Sequence, residues 1–244
     1  MAAGTLVVLQ PGYLPWLGFF DQMQRSNVFI YYDDVQFDKH GWRNRNRVKG
    51  PKGAVWLTVP VLHGGRFGQS ILDVEIDERQ NWRRKHLSTL AQLYARAPLV
   101  DSVLPQLRDI FDRPWPRLLE LDLAIIDWLA TELGVATPRH RASELGIGGE
   151  RNERLLNLCR HFGATRYLSG NAARAYLDVE RFAAAGVEVI WHDYVHPVYP
   201  QLHGEFVPYL SAIDLLLNAG ERSLILLGDD GARQAAGSER ASLR

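Results

Sequence analysis

The chain has 244 residues, 28 Lys and Arg against 28 Asp and Glu, and 46% hydrophobic residues. That length suits one large domain with a sizeable core. Zero net charge argues against nucleic acid or an anionic membrane recognised through a global field, so anion binding has to be local. The single cysteine, Cys159, excludes an internal disulfide, and no leader-like segment or apolar run of spanning length stands out. A cytoplasmic protein without membrane insertion is the expectation.

The first apolar run, Leu6–Leu9, has the length of a buried strand. Gln10-Pro11-Gly12 then turns the chain, because Pro fixes φ and lacks an N–H while Gly permits positive φ. Trp16, Leu17, Phe19, Phe20 and Met23 recur at helical spacing, and a second apolar run, Val28–Tyr32, ends in Asp33-Asp34. Strand, turn, helix and strand in so short a span predict a parallel βαβ unit. Ligands in open parallel sheets bind beyond the carboxyl ends of the strands, where Gln10–Tyr13 and Asp33–Gln36 fall. A basic tract, Lys39–Lys49, follows.

Ala54–Val61 predicts a buried strand, Gly64–Gly68 a loop, and the alternating Ile71–Ile76 a half-exposed strand. Helices are predicted over 81–96, 102–111 and 117–133, the last ended by Gly134, as a helical insertion near residues 81–135. After a glycine-rich loop at 143–150, a helix over 151–162, a strand at 165–168 and helix over 172–185 lead to a strand at 187–191, a second βα unit. A short apolar helix or turn covers 211–217, and small polar residues beyond Gly228 predict a disordered tail at 229–244. The fold class is α/β, an open mainly parallel sheet with flanking helices, forming a single domain over 1–228.

Several side chains are candidates for chemistry. Asp33 and Asp34 close a strand, where one could act as a base or hold an amine, or both could cap the strand end. Adjacent strand residues face opposite ways, so they share a pocket only past the end of the strand. Arg43, Arg45 and Arg47 alternate and could lie on one edge of an extended segment; guanidinium forks suit carboxylate or phosphate. Trp42, Asn44 and Asn46 interleave stacking and hydrogen-bonding groups with them. His192 at a strand end is a candidate acid or base. No histidine pair has metal-ligand spacing, and no metal or cofactor is expected. His86, one helical turn after Trp82, faces a pocket or covers a helix face. Ser169-Gly170 sits at a strand-to-helix turn without a nucleophile elbow, so backbone N–H groups there would hold an anion.

Gln10-Pro11-x-Tyr13-Leu14-Pro15-Trp16-Leu17-Gly18, Asp33-Asp34-Val35-Gln36-Phe37, Trp42-x-Asn44-Arg45-Asn46-Arg47, Tyr167-Leu168-Ser169-Gly170, Pro197-x-Tyr199-x-Gln201 and Asp214-Leu215-Leu216-x-Asn218 occur in this order. The ordered set resembles the WbqC-like family from the first motif to about Glu221, with Leu9 and Gly12 where the family has His and Asn. The resemblance implies a place in surface-glycan or secondary-metabolite biosynthesis and a glycine-type aminoacyl or acyl transfer. The opening segment also resembles that of pantothenate synthetase, which implies a nucleotidyltransferase-like, HUP-type βαβ core. Pro15 and Gly18 stand where that fold places its two phosphate-binding histidines.

The expectation is therefore a small-molecule transferase moving an acyl or aminoacyl group from an unassigned donor to an amino sugar or amine, deprotonated by Asp34 or His192. The expected substrate-binding set is Gln10, Tyr13, Trp16, Asp33, Gln36, Trp42, Arg43, Asn44, Arg45, His86, Ser169, Gly170, Tyr199 and Gln201. The alternatives are a non-catalytic ligand-binding or adaptor protein on the same fold, and a nucleotide-dependent ligase.

Overall fold

The computed structural model describes residues 4–39 and 41–219; the tail expected beyond Gly228 and His40 of the basic tract lie outside them. At its centre is β1 (Gly4–Leu9), followed by α1 (Leu17–Gln24) and β2 (Val28–Tyr31). Next come a hairpin of β3 (Arg45–Gly50) and β4 (Gly53–Thr58) and three helices, α2 (Trp82–Leu93), α3 (Val100–Phe111) and α4 (Leu118–Glu132). The rest of the described chain is β5 (Arg139–Arg141), α5 (Ala142–Leu145), α6 (Asn152–His161), β6 (Ala164–Gly170), α7 (Val179–Ala184), β7 (Glu188–His192) and α8 (Ala212–Ala219).

Five strands form one sheet in the order β5-β2-β1-β6-β7, and every neighbouring pair is parallel. β1 leads through α1 to β2 on one side, while β6 and β7 lie on the other. The chain thus reverses its winding between β1 and β6, which is where open α/β sheets leave a crevice at their carboxyl edge. Alternation along β1 explains the layers: Val7 faces a core shared with α1, α4 and α8, whereas Leu6 and Val8 face a second core formed with α6 and α7. Register sets Leu9 level with Tyr31, and Gly170 level with His192, so these strand ends stand along one edge.

Three expectations are corrected, and one strand is added. The segment over 54–61 is a strand only as far as Thr58 and is not buried throughout; β4 belongs to a separate antiparallel hairpin, and its burial alternates because one face meets solvent. Ile71–Ile76 alternates like a strand but opens as a 3-10 turn, Ile71–Asp73, with the Ser70 hydroxyl accepting from the Leu72 N–H, and pairs only through isolated bridges of Glu75 and Ile76. Helix over 172–185 is split into a 3-10 segment, Asn171–Ala175, and α7, because the Asp178 carboxylate accepts from the Arg181 N–H and starts a new helix. The sheet also gains β5, whose polar Arg-His-Arg sequence gave no strand signal.

Candidate functional site

The turn after β1 and the segment before β3 are laced together. The Tyr13 N–H donates to the Arg43 carbonyl at 2.9 Å, and Arg43 returns a guanidinium N–H to the Pro11 carbonyl at 2.9 Å. Asn46 Nδ2 donates to the Leu14 carbonyl at 2.8 Å, and Asn44 Nδ2 to the Val59 carbonyl at 2.8 Å. A Cβ on Gly12 would lie 2.6 Å from the Trp42 carbonyl oxygen, so only glycine permits this approach. The asparagines of the basic tract therefore satisfy buried backbone carbonyls and fix the hairpin over the first turn.

A cleft opens beside this joint in two adjoining compartments of about 290 and 600 Å³. Gln10, Trp16, Phe19 and Arg43 line both. The smaller compartment adds Pro15, Trp42, Asn46, Arg47 and Tyr209. The larger adds the β1 end at Val8 and Leu9, Gln22 of α1, Tyr32, Tyr167 and the start of α6 at Arg151 and Asn152. It lies where the winding reverses. Burial lowers the pKa of Arg43, and buried Asp122 on α4 and then Asp38 offset this through space. The same burial holds the Asp122 carboxyl well above the usual carboxylate range, with Arg43 pulling it down, and Asp122 Oδ1 has no hydrogen-bond partner among the described residues.

The expected common edge for the three arginines is not formed. Arg45 and Arg47 project with the stacked indoles of Trp42 and Trp56: Arg45 lies 4.8 Å from the Trp56 ring, and Arg47 lies 5.4 and 5.6 Å from the two rings. Arg43 turns away toward Pro11 and the cleft.

The two carboxylates at the end of β2 diverge. Asp33 is fully buried, accepting from Arg141 Nε at 2.7 Å and from the Ser143 N–H and hydroxyl at 2.9 and 2.7 Å. Asp34 is held in a two-point ion pair by Arg154, whose guanidinium also covers the Tyr32 ring. His192 is buried with Nε2 2.6 Å from the Asp21 carboxylate, and it stacks on Tyr194, which touches the edge of Trp16. Ser169 is buried on the same face of β6 as Tyr167, and Gly170 ends the strand.

Other members of the expected set lie apart from the cleft walls. Tyr13 is fully buried against His86, its hydroxyl 2.8 Å from Nδ1, within a ring cluster that includes Trp82 and Phe111. Gln36 borders a separate shallow groove near Phe67. Tyr199 and Gln201 both donate to Asp214 at 2.8 Å, inside the contact of the 197–210 segment with α8. Of the expected residues, the cleft brings together Gln10, Trp16, Trp42 and Arg43.

Gln22, Tyr32, Arg151 and Asp122 were missed. Asp122 had a signal: it interrupts the apolar stripe of Leu118, Leu121, Ile125 and Leu129 on α4. Arg151 had none, because its place depends on a fold contact with the end of β1. Among the described residues no group of three His, Cys, Asp or Glu side chains could hold a metal ion, and no helix is long and apolar enough to cross a membrane.

Comparison with known proteins adds identity to this geometry. The model of the WbqC-like protein family matches residues 10–225. The uncharacterized protein Rv1507c of Mycobacterium tuberculosis is 36% identical over 217 residues, covering 88% of this chain and 94% of its own length. No solved structure matches. The match runs from the laced turn after β1 through α8, and the chain belongs to the WbqC-like protein family.

Proposed function

We propose that the chain is a small-molecule transferase that moves an acyl or aminoacyl group onto an amine, with the donor bound in the smaller compartment. The observation that carries this is the part-buried Arg43 guanidinium just past the carboxyl end of β1, in a compartment that Arg47, Trp16 and Trp42 also line. Guanidinium groups in a low-dielectric cleft bind carboxylate or phosphate, and the indoles cover an apolar skeleton. In the transfer the acceptor nitrogen bonds to the acyl carbon. The bond from that carbon to the donor's leaving group breaks with its electron pair, and the amine proton passes to a base. His192, oriented by Asp21, is the better base of the two candidates, since the Asp34 carboxylate is occupied by Arg154.

A second reading, a non-catalytic binding protein, is favoured by one observation: neither His192 nor Asp34 lines the cleft. The test is incubation with glucosamine and a panel of acyl phosphates, acyl thioesters and aminoacyl adenylates, followed by mass spectrometry for an N-acylated product. The expected result is product with one donor class and a loss of at least about tenfold in Arg43→Met, the effect of removing a charge-assisted hydrogen bond. Retained donor binding without product from any donor would favour the binding protein.

A further inference from the structure

The larger compartment has a chemistry of its own. Gln22 is 4% exposed and lines it; Nε2 donates to the Gly18 carbonyl at 3.3 Å, while Oε1 has no partner among the described residues. A buried carbonyl without a donor is a costly group, and a ligand hydroxyl or amine would satisfy it. Tyr32, Tyr167 and Tyr176 also line the compartment. Arg43 stands on the wall shared with the donor compartment, and Arg151 at the start of α6.

Arg151 is held at φ 47° and ψ −118°, a backbone region that glycine adopts far more readily than any other residue. No side chain caps the start of α6, and its first residues, Arg151 and Asn152, line the compartment. Asn152 fixes the rim, with Nδ2 donating to the Tyr176 carbonyl at 3.1 Å and Oδ1 accepting from the Asp178 N–H at 3.2 Å. Arg154, held by Asp34, lies over the Tyr32 ring and sets that wall.

We propose that this compartment is a second ligand site, for a small polyhydroxylated anion of the sugar-phosphate class. Its anionic group meets Arg151 and the start of α6, a hydroxyl or amine donates to Gln22 Oε1, and the tyrosine rings cover the carbon faces. Under the transferase reading above, which supplies the donor next door, this ligand is the acceptor, and its reacting group points toward the shared wall at Gln10 and Arg43.

The site is testable without turnover, by calorimetric titration of the intact protein with glucose 6-phosphate, inorganic phosphate and glucose. Glucose 6-phosphate is expected to bind more tightly than either fragment. Gln22→Met, which keeps the shape and removes the acceptor, is expected to weaken it about fivefold, and Arg151→Ala about tenfold or more. Tyr176→Ala removes a 67% exposed side chain, so it does not threaten the fold, and weakened binding is expected there too. Trp42→Ala, in the other compartment, is expected to leave glucose 6-phosphate affinity unchanged. The proposal is overturned if the intact protein does not bind glucose 6-phosphate or if inorganic phosphate binds as tightly. It is equally overturned if Trp42→Ala abolishes binding while Gln22→Met and Tyr176→Ala keep it. A failure of the donor panel alone leaves this site standing, and a failure here leaves the donor compartment standing.

Discussion

His86 illustrates how a single buried ring carries a pH dependence. Burial lowers its pKa from 6.5 to about 4, a backbone bond at Thr58 opposes this, and nearby Lys85 lowers it further. The Tyr13 hydroxyl lies 2.8 Å from Nδ1 of this ring, inside the same buried cluster. As the pH falls below 6.5 the unfolded chain takes up a proton that the folded protein refuses until about 4. Stability contributed by the neutral ring is therefore complete above that window and is lost as pH falls through it, with no further loss below. At about 1.4 kcal/mol per pKa unit the loss reaches at most ~3 kcal/mol. In His86→Gln this part of the acid slope is expected to vanish, so denaturant melts at pH 7 and pH 4.5 should show a narrower wild-type advantage at the lower pH. An equal gap at both would mean that the ring protonates freely in the fold. Asp33 and Asp34 teach a different lesson about adjacent residues. Their faces could be assigned from strand geometry, but Arg141 and Arg154, which occupy them, lie more than a hundred positions away in sequence and give no local signal.

At the scale of elements, α1 is shaped by a glycine in its first turn. A Cβ on Gly18 would come within 2.2 Å of the Trp16 indole, which folds back over the helix start and meets Tyr194 edge-on at 5.2 Å. Gly18→Ala gains roughly 1 kcal/mol of helix propensity. Overpacking typically costs about 1–3 kcal/mol, and here the clash is with a rigid ring held by neighbours. Net destabilisation is expected, with a shifted tryptophan emission and weaker ligand binding, because Trp16 walls both compartments. An unchanged emission spectrum with higher stability would show that the indole moves aside without consequence. The hairpin follows the same logic of paired neighbours: Arg47 stands directly opposite Trp56 across β3 and β4, which is why its guanidinium stacks there.

For the whole molecule, a buried polar network joins parts distant in sequence. Tyr94 of the α2 end donates to Asp214 Oδ2 at 2.5 Å, Tyr199 and Gln201 donate to Oδ1, and buried Lys49 donates to Gln201 Oε1 at 3.4 Å and to the Glu205 carbonyl. Burial raises the Asp214 pKa while these donors pull it down. The network binds α2, the hairpin, the 197–210 segment and α8 into one layer, and it gives Tyr199 and Gln201 a place away from the cleft. The parallel sheet was legible because β1, β2, β6 and β7 carry apolar runs with turn residues after them. The hairpin's separation from the sheet was not, because period-two alternation does not say which strand a segment pairs with. The cleft was legible at Gln10 and Trp16, which border the first turn. It was illegible at Gln22 and Arg151, which meet only when α1 and α6 pack on opposite sides of the same sheet edge.

Strain is concentrated where the ligand sites are proposed. The non-glycine residues with positive φ among those described are Leu14, Arg151, His203 and Tyr209; Arg151 and Tyr209 line the cleft, and Leu14 lies in the turn beside it. Such conformations cost on the order of 1–3 kcal/mol each. Arg151→Gly relieves one of them, so its midpoint of thermal unfolding is expected to rise while glucose 6-phosphate affinity falls, measured on the same sample. A lower midpoint would mean that the arginine stabilises the fold. A programme that selects this protein for heat resistance alone would accumulate glycines and asparagines around the cleft, and its most robust descendants would be its emptiest binders.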